Sequence, residues 1–314
     1  MRCEARHADP HAWPGNGRAV MLAAAPTFSV IIPTHDRPQA LARCLHSLRS
    51  LAYPVGAWEL IVVNDGGIEP SAGLEEGLKS SLPLRLHSIR HLGASGARNA
   101  GARLATSEFL AFLDDDCRAE PDWLEQLAGG FGQTDWAALG GRSMNPRPDN
   151  LAMVCWHYLI DFLYSYLQDE HGNALLLVSN NVAYRRSVFE DLGGFDEGFR
   201  WAEDRDLSIR LLTAGHGQAY LPQARVWHDM IGPNGWGYLR QQFNYGRGAY
   251  TLERKLRRTG LVRRFPALAP QGRSFRVALW RSLWARRMPL AVWLMINTGQ
   301  LSHRLGKHYE ALRP

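Results

Sequence analysis

Short apolar segments of strand length alternate with segments of helical periodicity along the first part of the chain. The apolar runs lie at 28–33, 59–65, 84–89 and 108–114. Between them, the segments 37–51 and 93–105 repeat apolar or small residues at the spacing of a helix face. Strands that alternate with helices predict a doubly wound α/β fold, in which helices flank a mostly parallel sheet.

The pattern is looser in the middle of the chain, but strands and helices still follow one another. Apolar runs predict strands at 136–141, 174–186 and 218–228. Helical spacing, closed by glycine in the last two cases, predicts helices at 123–131, 186–195 and 202–215. Beyond Gly232 the sequence predicts a helical and basic C-terminal extension.

The overall composition is that of a folded protein with a basic end. The 314 residues are 46% hydrophobic and 21% charged, with a formal net charge of +6. A basic balance suits anionic partners such as phosphates or an acidic membrane. No nucleic-acid-binding motif accompanies the charge, which is concentrated near the C-terminus, so we expect no nucleic-acid partner. The four cysteines are far apart in the sequence, which disfavours a zinc or redox motif and predicts a reducing, cytoplasmic compartment.

The first 26 residues are predicted to form a disordered lead. They are rich in Ala, Pro and His, and they lack the long apolar segment of a signal peptide. Met21 precedes the first strand closely, which predicts it as an alternative start of translation.

Polar clusters follow three of the predicted strands. They are Thr34-His35-Asp36-Arg37, Asn64-Asp65-Gly66-Gly67 and Asp114-Asp115-Asp116. Ligands of open α/β sheets bind beyond the carboxyl ends of the strands, so these side chains are expected to meet at one edge. Two unpaired carboxylates about 4 Å apart repel by roughly 4 kcal/mol at an effective dielectric of 20. A divalent cation there, Mg²⁺ or Mn²⁺, would neutralise them and could hold a diphosphate.

Four motifs resemble those of a known family. The segments "SVIIPTHDR", "ELIVVNDGG", "GASGARNAGARLATSEFLAFLDDD" and "AEDRDLSIRL" are similar, in order and approximate spacing, to motifs of family 2 glycosyltransferases. The resemblance implies a GT-A domain at 27–230 with a Rossmann-like nucleotide-binding half, followed by the helical extension at 231–314. It also implies an enzyme that takes a nucleotide-sugar donor.

The resemblance assigns roles to individual residues. It implies that one set binds the donor nucleotide, with Asp65 on the nucleobase and Arg98 neutralising or positioning the nucleotide: Pro33, Thr34, Asp36, Asp65, Arg98 and Asp115. It implies that a second set binds the metal: Asp114, Asp116 and His228. Asp204 matches the catalytic base, which would take the proton of the acceptor hydroxyl in an inverting transfer. Glu203 is interpreted as orienting a neighbour. Asn180, Asn181 and Trp201 lie in a region that resembles the acceptor side.

Each of these residues also has a structural interpretation. Aspartates at 114–116 and 65 are frequent in turns, Asp204 suits the first turn of a helix, and Trp201 suits a core. Arg98 also suits a plain surface site, and His228 a buried structural one. Other functions stay open: a catalytically inactive sugar-nucleotide-binding or scaffold protein, or a sugar-phosphate nucleotidyltransferase. The latter would need a glycine-rich loop that "IIPTHDRP" lacks, and no GxGxxG follows the first strand to indicate a dehydrogenase.

Two apolar segments could in principle contact or span a membrane. The segment 151–167 is interrupted by His157 and Asp161, and the run 288–296 is too short to span a bilayer. A packed or interfacial helix is therefore expected for the first. Tryptophans beside arginines at 275–306 suit either a helix on the anionic inner face of a membrane or a packed helix with a basic outer face. The membrane interpretation would favour a lipid-linked acceptor over another glycan or a small molecule.

Overall fold

The computed structural model describes residues 25–69, 81–168, 174–230, 234–261 and 273–313. Positions 1–24 of the predicted N-terminal lead, with the alternative start at Met21, lie outside the described residues. The strands are β1 (Phe28–Thr34), β2 (Trp58–Asn64), β3 (Leu84–Ser88), β4 (Phe109–Leu113), β5 (Cys117–Ala119), β6 (Ala138–Met144), β7 (Asn181–Arg185) and β8 (Gln218–His228). The helices are α1 (Pro38–Leu48), α2 (Gly93–Leu104), α3 (Trp123–Gln133), α4 (Leu151–Tyr166), α5 (Arg186–Asp191), α6 (Glu203–Thr213), α7 (Gly235–Arg258), α8 (Arg273–Ala285) and α9 (Leu290–Ala311).

These strands form one mixed sheet in the order β3-β2-β1-β4-β7-β6-β8-β5. The pairs β1–β2, β1–β4, β2–β3 and β6–β8 are parallel, and the three antiparallel pairs all involve β5 or β7. The predicted α/β fold with flanking helices is confirmed. Because β2, β1 and β4 run parallel, their carboxyl ends lie at one edge of the sheet.

Helices cover both faces of the sheet, so β1 is buried along its whole length. Val30 and Ile32 pack into a cluster with residues of α1 and α3 on one face. Ile31 packs into a second cluster with α2 and α6 on the other face. A Cβ on Gly101 of α2 would lie 2.5 Å from Ile31 Cγ2, so the small residues of this helix allow the close packing that its sequence predicts.

The strand predicted at 174–186 is wrong in its first half. Only Asn181–Arg185 forms a strand, and the residues before it are buried but irregular. The backbone N–H of Leu177 donates to Ser208 Oγ at 3.2 Å, and that of Val178 donates to the Tyr164 hydroxyl at 3.0 Å. Side chains of α4 and α6 therefore satisfy backbone groups that a sheet would otherwise pair.

The short strand β5 is not predicted by the sequence. Its three residues pair antiparallel with the end of β8, opposite His228, Trp227 and Val226. Three residues are too few to show an alternating pattern, so hydrophobic periodicity does not detect them. This pairing brings the acidic run beside His228.

The C-terminal helices form a third cluster with α4. Within it α7 and α9 are in backbone contact through glycines. A Cβ on Gly246 would lie 1.9 Å from the carbonyl oxygen of His303, and a Cβ on Gly306 would lie 1.9 Å from that of Phe243. Among the described residues, no helix is both long and apolar enough to cross a membrane.

A methyl group at Gly246 is expected to force α7 and α9 apart. We expect Gly246→Ala to lower the free energy of unfolding by about 1–3 kcal/mol, the usual cost of overpacking a core. Gly129→Ala is a matched control, because this exposed helical glycine has nothing within 4 Å of its Cβ position. In the control, the free energy of unfolding should increase by up to about 1 kcal/mol, because alanine has a higher helix propensity than glycine. Urea unfolding measures both variants, and equal stabilisation by both would contradict the close contact.

Candidate active site

The polar clusters meet at the sheet edge as predicted. Thr34, the last residue of β1, donates its hydroxyl proton to Asp115 Oδ2 over 2.7 Å. The N–H of Asp65, directly after β2, donates to the Thr34 carbonyl oxygen at 2.8 Å. Thr34, Asp65 and Asp115 are all at least 95% buried. Parallel strands thus bring residues that lie 31 and 50 positions apart into one hydrogen-bonded network.

Asp65 closes the N-terminus of α2. Its Oδ1 accepts the N–H of Leu92 at 2.7 Å, and its Oδ2 accepts that of Gly93 at 2.9 Å. These are amides that a helix start leaves without partners. His91 Nδ1 lies 2.9 Å from Asp65 Oδ2. Oδ1 has a second lone pair, so it could still accept a hydrogen bond from a ligand.

A cavity of about 250 Å³ lies in front of these strand ends. Every residue predicted to bind the donor, except Asp36, lines this cavity: Pro33, Thr34, Asp65, Arg98 and Asp115. Asp114, predicted as a metal ligand, lines it too. Asp36 lies beside the cavity with a left-handed backbone (φ 53°), and its Oδ1 accepts the N–H of Ile68 at 2.7 Å. Asp36 therefore shapes the loop next to the cavity in this structure.

The three aspartates of the acidic run have different sets of partners, although Asp115 and Asp116 share Arg37. Asp114 Oδ1 accepts a hydrogen bond from Arg98 Nη2 at 2.6 Å. Asp115 bonds Thr34 and lies 3.1 Å from Arg37 Nη1. Burial raises the pKa of Asp115 to about 6, although Arg37 and the Thr34 hydroxyl oppose this shift. Arginines and a hydroxyl therefore offset much of the repulsion among these carboxylates.

Asp116 and His228 form a second polar pair. His228 Nε2 lies 3.3 Å from Asp116 Oδ1, and both side chains are about 90% buried. Burial opposes the charge on Asp116, but the hydrogen bond and charge of His228, together with Arg37, outweigh it and lower the pKa of Asp116. The other ring nitrogen of His228 lies 3.4 Å from the Asn180 amide nitrogen, which fixes the orientation of the ring.

This pair fits a divalent cation. The ligand atoms of Asp116, His228 and Cys117 lie within 4.8 Å of one another. A carboxylate and an imidazole are suitable ligands for Mn²⁺, and a carboxylate for Mg²⁺. Burial and the acidic run raise the pKa of Cys117 well above its ordinary value, so the neutral thiol is a poor ligand. Asp114 does not belong to this group, because its carboxylate is turned to Arg98; its role as a metal ligand stays a prediction.

Asp204 and Glu203 begin α6 directly after a strained residue. Ala202 has a left-handed backbone (φ 73°), an uncommon conformation for a residue with a Cβ, and such residues cluster at functional sites. Asp204 Oδ1 accepts the N–H of Arg205 at 2.8 Å. Burial raises the pKa of Asp204 above its ordinary value, which favours a group that takes up a proton.

Glu203 lies beside Asp204 but has another partner. Its Oε1 accepts from Arg98 Nη1 at 3.1 Å, so Arg98 bridges Glu203 and Asp114. Burial, reinforced by the charge of Asp204, raises the pKa of Glu203 to about 7. This geometry agrees with the interpretation that Glu203 orients a neighbour.

Asp204, Asp116 and His228 line one cavity of about 310 Å³. It adjoins the cavity at the strand ends, because four residues line both: Arg37, Ala94, Arg98 and Asp114. The two adjoining cavities, together called the cleft, have Asp65 in one and Asp204 in the other. The larger cavity is lined both by a buried carboxylate with a raised pKa and by a carboxylate–imidazole pair, an arrangement that suits general-base chemistry beside a metal-bound anion.

The predicted acceptor-side residues divide into two groups. Asn180 and Trp201 line the larger cavity. Asn181 is 1% exposed, and its amide donates to the carbonyl oxygens of Ala224 and Arg142 and accepts from Trp123 Nε1. Asn181 is therefore fully engaged inside the protein, where it ties β7 to β8 and α3.

Sequence reasoning gave no role to several residues of the cleft. The rings of His35 and His91 are tilted by 32° to each other, with centroids 4.5 Å apart, and both residues line the strand-end cavity beside Asp65. Arg37 bridges Asp115 and Asp116, and Gln241 and Tyr245 of α7 line the larger cavity. Arg37 belongs to the polar cluster that follows β1, and this position was a usable signal. The α7 residues carry no motif and come from a helix more than 30 positions beyond Asp204.

The fold has known counterparts. A mannosyltransferase from Pyrobaculum calidifontis, solved with GDP-Man and Mn²⁺, superposes with a TM-score of 0.63 over 92% of this chain and 85% of that chain. The two sequences are 17% identical, so this likeness shows a shared GT-A fold.

Sequence relatives agree with the fold. A pre-mycofactocin glycosyltransferase of Mycobacterium tuberculosis is 32% identical over 64% of this chain, and the match spans 42% of the relative's length. A glucosyl-dolichyl phosphate glucuronosyltransferase of Haloferax volcanii is 27% identical over 65% of this chain and 69% of its own length. The family model described as glycosyl transferase family 2 matches residues 29–193, more than half of the 314 residues. The chain belongs to glycosyl transferase family 2, a family of sugar-transferring enzymes.

Proposed function

We propose that this enzyme is an inverting glycosyltransferase that moves a sugar from a nucleoside-diphosphate sugar to an acceptor hydroxyl. The observation that carries the proposal is the pair of adjoining cavities, one lined by Asp65 and the other by the Asp116–His228 pair and Asp204. The strand-end cavity would bind the nucleotide, and the larger cavity would bind the sugar and acceptor. The acceptor would be a glycan, a lipid-linked sugar or a small molecule.

Asp204 would act as the base. As the acceptor hydroxyl attacks the anomeric carbon, its proton passes to the Asp204 carboxylate, and the bond to the diphosphate breaks on the opposite face of the sugar. Burial already raises the pKa of Asp204, so the carboxylate accepts a proton more readily than an exposed aspartate. The backbone N–H groups of Arg205 and Ser179 both donate to the Asp204 carboxylate, which holds it in place at the wall of the larger cavity.

The leaving diphosphate requires positive charge. Asp116 and His228 would hold Mn²⁺ or Mg²⁺, which when bound would stabilise the negative charge that develops on the diphosphate. The Pyrobaculum mannosyltransferase, which shares the fold, was solved with GDP-Man and Mn²⁺, and this supports a divalent cation at the donor site. Arg37 lies 3.1 Å from Asp115 and 3.5 Å from Asp116, so it is close enough to contribute a second positive charge.

The proposal is tested by screening nucleoside-diphosphate sugars for donor hydrolysis with Mn²⁺, with Mg²⁺ and with a chelator. We expect one donor class to be hydrolysed, with activity lost in the chelator and restored by metal. His228→Ala should raise the Mn²⁺ concentration needed for half-activity by about 10–100-fold. His46→Ala, at an exposed position on α1, is the matched control and should leave it unchanged. Full activity in the chelator would contradict the metal site.

The pKa shifts at the base predict a pH dependence. Activity should rise with pH as Asp204 loses its proton, with a midpoint above the value near 3.9 of an ordinary aspartate. Glu203→Gln should leave this midpoint largely in place, because the charge of Asp204 helps to raise the pKa of Glu203 to about 7, so Glu203 is still neutral while Asp204 loses its proton. A kcat–pH profile from pH 4.5 to 8.5 measures the midpoint in both proteins. Activity that is already at its full level at pH 4.5 would contradict the raised pKa of Asp204.

A further inference from the structure

We propose that the C-terminal helices form a docking face for the surface of an anionic bilayer. The face combines an apolar stripe on α9, two tryptophans on α8 and a basic groove between α7 and α9. The proposal rests on exposed side chains and their charges, and it holds or fails independently of the sugar-transfer chemistry.

The apolar stripe consists of leucines on the outer side of α9. Their exposed fractions lie between 55% and 72%, and their positions at 100° per residue fall within roughly 60° of one another around the helix: Leu290, Leu294, Leu301 and Leu305. Singly exposed leucines are common, but four in line along a helix mark an interaction surface. The opposite side of α9 is already used, because Gly299 and Gly306 pack against α7.

Two tryptophans extend the stripe sideways. Trp280 and Trp284 of α8 are 44% and 79% exposed and lie one helical turn apart. Trp280 Nε1 donates to Asn297 Oδ1 of α9 at 3.0 Å, which places α8 directly beside the stripe. Tryptophan favours the interface between lipid headgroups and acyl chains, where its ring is apolar and its N–H stays hydrated.

The basic groove is a cavity of about 570 Å³ between α7 and α9. It is lined by five cationic side chains and one carboxylate: Arg254, Arg257, Arg258, Arg304, Lys307 and Glu253. Glu253 pairs with Arg257 at 2.6 Å and also with Lys307. Within the part of the chain that the structure describes, Arg254, Arg258 and Arg304 have no acidic partner. The groove thus keeps an excess of positive charge that a phosphate headgroup would neutralise.

The groove borders the stripe. Arg304 follows Leu301 by three residues and precedes Leu305 by one, so its side chain projects from α9 next to the leucine stripe. A bilayer accepts both features at once, since acyl chains take up the leucines while anionic headgroups meet the arginines. A second copy of the chain is a poorer occupant. Pairing two stripes along a twofold axis would bring the uncompensated arginines of both copies together.

Docking in this way would place the cleft near the lipid. Gln241 and Tyr245 line the cleft, whereas Arg254 and Arg258 of the same helix line the groove. At 1.5 Å per residue, the groove arginines lie roughly 14–20 Å along α7 from Tyr245. This step rests on the proposed function: it points to an acceptor presented at the membrane surface, such as a lipid-linked sugar.

Sedimentation with vesicles tests the docking face. We expect the full chain to bind vesicles of phosphatidylcholine that contain about one third phosphatidylglycerol, and not to bind vesicles of pure phosphatidylcholine. Binding to the anionic vesicles should decrease as the salt concentration increases. Arg254→Glu/Arg258→Glu should weaken binding at least about tenfold, given roughly 1 kcal/mol per basic residue near the surface. Leu301→Ser/Leu305→Ser should weaken it at low and high salt alike.

Matched controls separate docking from general effects. Arg43→Glu/Arg49→Glu reverses two exposed arginines, one on α1 and one directly after it, and Val55→Ser changes an exposed apolar residue elsewhere; both variants should bind vesicles as the unaltered chain does. Circular dichroism and donor hydrolysis without vesicles should be unchanged in all variants, which separates failure of docking from failure of the proposed function. Equal loss in the α1 control, or no binding to anionic vesicles, would overturn the proposal. So would a dimer, detected by light scattering, that the leucine variants dissociate.

Discussion

Asp204→Asn is expected to slow sugar transfer by about 10³-fold, within the range of 10²–10⁴ that a positioned general base contributes. Asparagine keeps the size of the side chain and can still accept the Arg205 N–H, but it has no carboxylate to take the acceptor proton. Binding of the donor nucleotide should persist, because the strand-end cavity does not include residue 204. The initial rate of transfer and calorimetric binding of the nucleotide diphosphate with Mn²⁺ measure the two effects separately.

A remote aspartate provides the control for this result. Asp191 is exposed at the end of α5, so Asp191→Asn should leave transfer and binding unchanged. Full transfer activity in Asp204→Asn would remove the base assignment, whereas loss of nucleotide binding together with activity would indicate that the variant disturbs the whole cleft.

Much of the strand-end cavity was predictable because it depends on local signals. A buried parallel strand is a continuous apolar run, and the polar residues after it must lie at the carboxyl edge of the sheet. Thr34, Asp65 and Asp115 therefore meet as the sequence predicts. Only the resemblance predicted that Asp116, His228 and Asp204 would line one cavity. The local sequences of β8 and α6 do not specify which other elements these two segments pack against.

The remaining features depend on tertiary contacts that the sequence pattern does not encode. The segment before β7 is as apolar as a strand, but Ser208 and Tyr164 take its backbone N–H groups. Arg98 was expected to face the nucleotide, and it lines both cavities, but its guanidinium group also bridges two carboxylates from distant elements. The sequence contains the arginine and the carboxylates, but its pattern of apolar and polar positions does not indicate which carboxylates the arginine pairs with.

Arg98→Met is expected to lower the free energy of unfolding by about 3–5 kcal/mol, the usual cost of removing one partner from a buried ion pair. The Arg98 side chain is 4% exposed and lies 2.6 Å from Asp114 and 3.1 Å from Glu203. Burial opposes its charge, but the two carboxylates outweigh burial and raise the pKa of Arg98. Methionine preserves much of the volume but leaves both carboxylates without their cation.

The pH dependence of this loss identifies its cause. Glu203 has a pKa of about 7 in the folded protein, above the value near 4.3 of an ordinary glutamate, so folding favours its protonated form. Its contribution to stability is therefore present at low pH and is lost as pH rises through about 7. Without Arg98 the charged form becomes still less favourable, so Arg98→Met should be more destabilised at pH 8.5 than at pH 6.

A double variant separates charge from packing. Arg98→Met/Glu203→Gln removes one of the two uncompensated carboxylates, so urea unfolding at pH 8.5 should show it to be more stable than Arg98→Met alone. At pH 6 the two variants should differ less, because Glu203 is then largely protonated in the single variant. If both lose the same stability at both pH values, Arg98 contributes through packing against Phe195, whose ring centroid lies 5.6 Å from its guanidinium carbon. A difference that grows with pH would instead assign the loss to the charge bridge that joins the acidic run to the first turn of α6.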